Sequence, residues 1–260
     1  MTELINKLFK EENIEYFGIL SVKNSKIVNK NLFERKTFFA KSIITFLVPY
    51  YTGETVNGNI SLYAMSRDYH LYIKEVTDRI IKELKTAFPK EEFTGMGDHS
   101  PIDEVNAAAI TGLGIIGDNR CLINEKYGSF VFIGEIFTSM ELEQNISQIK
   151  FCGHCNLCKE SCPSPDACLS HLTQQKGELD EKTVELMRKY NTAWGCDICQ
   201  KVCILNRNAE KTPIEFFYQN RTEALTPKII DEMSDKELES RAYGWRKRKT
   251  IKRNINILFE

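Results

Sequence analysis

The apolar positions follow two periods along this chain. Residues 1 to 12 read as an amphipathic helix. Tyr16 to Val22 reads as a strand. Ser42 to Tyr50 carries Ile43, Ile44, Phe46, Leu47 and Val48 almost without a break, the pattern of a strand covered on both faces. From about Asp68 to Phe88 the spacing switches to that of a helix, with Ile73, Val76, Ile80 and Leu84 as its buried stripe. Ser129 to Phe137 returns to strand. Strands and helices interleave, so residues 1–148 predict an α/β domain with its own core. Residues 149–208 are loop-rich, with one helix at Asp180 to Tyr190. Residues 209–260 read as a helical, basic tail. Within it, Ser234 and Glu237 form a capping box that starts a helix near Asp235.

Composition narrows the class. Hydrophobic residues make up 42% and charged residues 27% of the 260 positions, as in a globular protein. No apolar run approaches the roughly 20 residues of a membrane-spanning helix. No basic start followed by an apolar stretch marks an export signal, so the expected location is the cytoplasm, with no membrane partner. The formal net charge of −1 gives the whole chain no electrostatic bias toward nucleic acid. Seven basic residues nevertheless fall between Arg241 and Arg253, with Tyr243 and Trp245 among them. Two readings stand side by side: a solvated basic helix face, or a contact for nucleic-acid phosphates with aromatics for stacking.

The cysteines carry the strongest chemical signal. Cys152, Cys155, Cys158 and Cys162, followed by Pro163, spell C-x2-C-x2-C-x3-C-P. That is the binding run for [4Fe–4S] clusters in two-cluster ferredoxins, where the fourth cysteine ligates the other cluster. Two-residue gaps wrap one tight loop around a cuboidal cluster, and the proline then turns the chain. Cys168, Cys196, Cys199 and Cys203 supply four more thiolates. The crossed arrangement groups Cys152, Cys155, Cys158 and Cys203 around one cluster, and Cys162, Cys168, Cys196 and Cys199 around the other. The ninth cysteine, Cys121, lies in an apolar stretch and reads as a buried core thiol. Zinc prefers two separated cysteine pairs. A disulfide framework needs an oxidising compartment. Both fit this spacing less well than clusters.

Gly112-Leu113-Gly114-Ile115-Ile116-Gly117 matches G-x-G-x-x-G. The dinucleotide fingerprint needs a strand before it and a helix after it. Here a helix-like Asn106 to Ile110 precedes and a turn-like Asp118-Asn119 follows, so a Rossmann site is rejected. The glycines suit turns, or a close backbone approach to a flat, bulky group. Asp98, in the glycine-rich loop Gly95-Met96-Gly97-Asp98, reads by itself as a turn residue.

Taken together, the pattern resembles the epoxyqueuosine reductases, cobalamin-dependent iron–sulfur oxidoreductases of queuosine biosynthesis and tRNA processing. The resemblance rests on Tyr63-Ala64-x-x-Arg67-Asp68-Tyr69-His70, Asp98-x-x-Pro101-x-x-Glu104, Gly112-x-Gly114-x-x-Gly117 and Gly128-Ser129-Phe130-x-Phe132-x-Gly134-Glu135. Cys168-x-Ser170-x-Leu172-Thr173 and Gly195-Cys196-Asp197-x-Cys199-Gln200-x-Val202-Cys203 complete it. It is strong over roughly residues 60–206.

The resemblance implies a cobalamin-binding α/β domain like that of reductive dehalogenases, with a ferredoxin-like insert bearing two [4Fe–4S] clusters and a short helical C-terminal tail. It implies cobalamin as a second cofactor, tRNA as a partner reached by residues 241–253, and a low-potential electron donor such as a flavodoxin or ferredoxin. It makes Asp98 the acid that protonates the epoxide oxygen, with burial raising its pKa. It sets Gly112, Gly114 and Gly117 along the corrin, with Ser170 and Asp197 touching it or capping turns at the clusters. Arg67 and His70 become candidate substrate or cofactor contacts. The sequence also departs from the family: Val105 stands where arginine is expected, Asp118 where lysine is, and Ile204 where proline is. Family members also continue into helical repeats that help grip tRNA, whereas this sequence ends at Glu260. These departures keep open a cobalamin-dependent reductase of a different substrate, and the cysteines alone would also suit a two-cluster electron-transfer protein without cobalamin.

Overall fold

The structure is a computed structural model that describes residues 2–55 and 57–260. In chain order the first part contains α1 (Thr2–Glu11), β1 (Phe17–Ser21), α2 (Lys30–Lys36), β2 (Ser42–Pro49), α3 (Tyr69–Ala87), β3 (Phe93–Gly97) and α4 (Glu104–Ile110). The hairpin β4 (Ile115–Ile116) and β5 (Leu122–Ile123) follows, then β6 (Val131–Thr138). Four strands form one sheet in the order β1-β2-β6-β3, and every neighbouring pair is antiparallel.

All eight residues of β2 are buried, as the unbroken apolar run predicts. The pleat explains why. Ile44, Phe46 and Val48 point to one face, into a core shared with Phe9 of α1 and with Ile73, Val76, Ile80 and Leu84 of α3. Ile43 and Leu47 point to the other face, where Leu20, Phe137 and the alanines of α4 cover them. The sheet is thus sandwiched between helical layers. β3, absent from the sequence reading because its Thr94-Gly95-Met96-Gly97 run lacks a strand pattern, forms the edge against α3. A Cβ on Gly95 would sit 2.5 Å from Thr77 Cβ, so only glycine lets α3 lie this close.

The second part comprises α5 (Leu157–Glu160), α6 (Leu169–Thr173), α7 (Glu181–Lys189), α8 (Ile198–Lys201), α9 (Pro227–Glu232), α10 (Asp235–Glu239) and α11 (Lys247–Phe259). Ser234 caps α10 by accepting the Glu237 N–H, as the capping box predicts. The cysteine region is stitched to the sheet by buried polar groups. Asn206 donates to Ser129 Oγ (2.8 Å) and accepts the Ser129 N–H (2.8 Å), and Ser129 Oγ donates to Gln200 (2.9 Å).

Residues 209–260 differ from the expected tail. Ile214, Phe217, Leu225, Ile230, Leu238, Tyr243, Ile251 and Ile255 belong to the same core as α3. The basic residues are largely occupied internally. Arg241 is buried and bonds the carbonyls of Met65 and Asn220. Arg248 bonds the carbonyls of Ile230 and Met233, and Arg253 those of Gln175 and Gly177. Lys252 pairs with Asp231 and Lys247 with Glu239.

Asn254, fully buried in α11, donates to the carbonyls of Thr173 and Ala193, both at 2.7 Å. Asn254→Ala would strand two buried acceptors. Urea unfolding of the anaerobic protein should show a loss of about 2–3 kcal/mol. A loss under about 0.5 kcal/mol would mean the two carbonyls find other partners.

Candidate active site

Three chain segments bring charge to one place. β3 ends at Gly97, and Asp98 follows with φ 61°, in the left-handed region that Asp tolerates better than most residues. α3 begins beside it. Asp68 caps that helix through the His70 N–H (3.0 Å), and its Oδ1 also holds His70 Nδ1 at 2.7 Å. The far ring nitrogen, His70 Nε2, lies 3.3 Å from Asp98 Oδ2. α4 begins with Glu104, whose Oε1 accepts the Asp98 N–H at 2.8 Å. Tyr69, at the same helix start, faces Asp98 and helps to lower its pKa. Its ring is fixed by stacking on Phe132 of β6, centroids 3.8 Å apart.

These groups face a cavity of about 780 Å³. Val131, Phe132, Ile133 and Leu122 give it an apolar wall, and Ser170 and Gln200 come from the cysteine region. Trp245 stands at its edge, half exposed, with the Arg246 guanidinium 3.8 Å from the centre of its ring.

The electrostatics correct one expectation. The hydrogen bond from His70 lowers the Asp98 carboxyl pKa; burial opposes this, and Tyr69 adds to the lowering. Asp98 is therefore ionised near neutral pH rather than protonated. Burial opposes charge on His70, but its bonds to Asp68 and Asp98 outweigh that and hold its pKa at about 9. Burial, reinforced by the Asp98 charge, lifts Glu104 to about 8. Glu135 of β6 is completely buried, and burial together with Glu104 pushes it well above the carboxylate range. The sequence reading missed the two glutamates as proton holders. The signal for Glu135 was a carboxylate inside the strand run Ile133-Gly134-Glu135-Ile136-Phe137.

The nine cysteines are all free thiols. Burial raises the Cys158 thiol, with Asp118 and Cys203 adding to it. Burial pushes Cys199 up to about 12, with Cys121, Cys196, Cys168 and Cys162 as its charged neighbours. Cys158 thus neighbours Cys203, and Cys199 neighbours Cys162, Cys168 and Cys196, while Cys121 lies beside thiols of both sets. Cys121 is not a core thiol. It lines the cavity and neighbours Cys168, Cys203 and Cys158, because β5 runs along the cavity wall.

Other candidate residues have different surroundings from those expected. Asp197 is buried away from the cavity: its carboxylate accepts the Ser61 hydroxyl and the Leu62 N–H (2.7 Å), clamping the α8 turn to residues 61–62. Gly112 and Gly114 line a second cavity of about 640 Å³, on the other side of β5. A Cβ on Gly114 would lie 2.6 Å from the Ile123 carbonyl, and one on Gly117 2.4 Å from Asn119 Oδ1, so these glycines close the β4–β5 hairpin on itself. A helix precedes this segment and a hairpin follows it, which rules out the dinucleotide fingerprint. Arg67 covers the Phe216 ring, 5.1 Å from its centre. Asp118 turns to the cysteine loop: its N–H points at Cys152 Sγ (3.3 Å), and its carboxylate holds His154 and Lys159, each at 2.8 Å.

Comparisons with known proteins identify the family. Residues 34–98 match the family model described as "Epoxyqueuosine reductase QueG, DUF1730". An epoxyqueuosine reductase of Gloeobacter violaceus is 32% identical over 225 residues, 78% of this chain and 70% of the relative. One from Leadbetterella byssophila is 30% identical over 241 residues, 85% of this chain and 78% of the relative. Among solved structures, the epoxyqueuosine reductase of Streptococcus thermophilus superposes with a TM-score of 0.79 at 23% identity, covering 100% of this chain and 80% of that one. An epoxyqueuosine reductase with an epoxyqueuosine-modified tRNA stem loop gives 0.81 at 22% identity, covering 99% and 80%. A reductive dehalogenase, NpRdhA, gives 0.51 at 15% identity, covering 97% and 35%, and so shares the fold. With its sequence relatives at these identities and coverages, the chain belongs to the epoxyqueuosine reductase family.

Proposed function

We propose that this protein reduces the epoxide of epoxyqueuosine to the alkene of queuosine in tRNA, with two [4Fe–4S] clusters and cobalamin as cofactors. The observation that carries the reading is the Asp68–His70–Asp98 chain opening onto a cavity that also borders the cysteine loops. The donor set suits the clusters: Cys158 lies near Cys203, and Cys199 near Cys162, Cys168 and Cys196, pairings that the crossed ligand pattern contains. The cavity, with its apolar wall and few polar groups, fits part of a large flat cofactor. Ser170 would meet the cofactor from the cysteine side, and Leu122, on the hairpin that Gly114 and Gly117 close, from the other. The cofactors together supply low-potential electrons at the substrate, drawn from a donor such as a flavodoxin or ferredoxin.

The chain's own residues handle protons and position. Removing the epoxide oxygen as water takes two electrons and two protons. Asp98 is poised at the cavity with the His70 imidazolium behind it. The donor is therefore the pair: His70 stores the proton, and Asp98 orients it toward the oxygen. Asp68 fixes the imidazole ring, as a carboxylate does for a catalytic histidine. Tyr69, held by stacking on Phe132, favours the ionised form of Asp98. At the mouth, Trp245 and Arg246 offer a stacking face and a cation to the tRNA, in place of the basic residues spent inside the fold. A reductase with a different substrate is favoured by one observation: Val105 lines the cavity where the family pattern has arginine.

Asp98→Asn should lower turnover of epoxyqueuosine tRNA by about 100-fold while iron content and cobalamin uptake stay at wild-type levels. Unchanged turnover would remove Asp98 from the mechanism. Anaerobically purified wild type should carry about eight irons per chain, and Cys199→Ser about four. One metal ion per chain in place of clusters would contradict the cluster assignment. Trp245→Ala should raise KM for the tRNA about tenfold with kcat little changed, since stacking contributes about 1–3 kcal/mol per base. An unchanged KM would place the tRNA contact elsewhere.

A further inference from the structure

The reaction proposed above requires two protons per oxygen removed, and the His70–Asp98 pair stores one. Resting on that reading, we propose that Glu104 supplies the second proton: its carboxyl protonates the leaving oxygen and is reloaded from solvent.

The geometry is that of a second acid packed against the first. Glu104 opens α4, and the Asp98 N–H takes up its Oε1 at 2.8 Å, so the proton of a neutral Glu104 belongs on Oε2. Glu104 and Asp98 line the same cavity. On its inner side stands Glu135, sealed in β6, with Oε2 accepting the Ser100 hydroxyl and Oε1 without a hydrogen-bond partner. Among the described residues no lysine or arginine forms an ion pair with Glu104 or Glu135. The nearest cation is the His70 imidazolium, which already faces Asp98. Three carboxyls with one cation between them cannot all ionise in a buried setting, because like charges at close range raise one another's proton affinity. Asp98 takes the imidazolium, so the glutamates keep their protons. Glu135 has no route to the cavity. Glu104 has one, which makes its proton the deliverable one.

The groups that face Glu104 are Asp98 at the end of β3, His70 on α3, Glu135 on β6 and Asp103 at its own helix start, the last neutralised by Lys26. Together they leave Glu104 protonated below about pH 8, so its contribution is present at neutral pH and is lost as pH rises through that value.

Glu104→Gln keeps the acceptor for the Asp98 N–H and removes the proton. In the holoenzyme it should lower kcat for epoxyqueuosine tRNA by about 100-fold, leave KM within about twofold, and move the fall in kcat expected for wild type above about pH 8 up to the limb set by His70 at about 9. Glu104→Asp should restore part of the rate and a pH limb of its own. Wild-type kcat with the same pH limb in Glu104→Gln would overturn the proposal. An infrared pH titration of the protein alone is independent of substrate. Wild type should show a protonated-carboxyl band that fades as pH rises through about 8, and Glu104→Gln should lack it. An identical band in the variant would overturn the proposal even in an active enzyme. If wild-type holoenzyme leaves the tRNA unchanged, the substrate reading fails, and the infrared band still decides whether Glu104 holds the proton.

Discussion

The ion pair between Asp98 and His70 is the constraint on which the site depends. It joins the end of an edge strand to the first turn of the longest helix, and it sets the charge of every group around it. Burial holds the protons on Glu104 and Glu135, and the ionised Asp98 reinforces this at Glu104. The glycine at position 95 lets α3 lie against β3, and without that approach the two groups could not meet. Backbone packing at one point thus brings the Asp98–His70 pair together, and with it the negative charge that faces Glu104.

A second set of contacts fastens the cysteine region to the same frame. Asn206, Gln200 and Asp197 are buried and spend their polar atoms on Ser129, Ser61 and Leu62. Asn254 does the same from α11. Buried polar groups with all partners supplied specify one arrangement rather than merely stabilising it. Such rigidity would suit the proposed electron delivery, because cysteine loops that drifted from the cavity would lengthen the path. Asp118, in a position where the family pattern has lysine, contributes here by holding His154 and Lys159 around Cys152.

Much of this was legible in the sequence because period and spacing are local signals. The apolar run at Ser42 to Tyr50 gave the doubly covered strand, and the stripe from Ile73 to Leu84 gave α3. What escaped depended on contacts distant in sequence. β3 is short and glycine-rich, and it is a strand only because β6 and α3 bind it. The Asp98 acidity ran opposite to expectation because burial competes with a histidine 28 positions earlier. The basic run at 241–253 looked like a nucleic-acid surface, yet Arg241, Arg248 and Arg253 point inward to carbonyls. Composition could not distinguish a staple from a phosphate contact.

The central claim is that the acidic cavity and the cysteine loops act together on one epoxide. The most direct test reconstitutes the anaerobic protein with iron, sulfide and cobalamin, adds a low-potential reductant and epoxyqueuosine-containing tRNA, and analyses the digested nucleosides by mass spectrometry. The account predicts loss of one oxygen atom to give queuosine, dependent on cobalamin. Unchanged epoxyqueuosine, from protein carrying its full complement of iron and cobalamin, would contradict it.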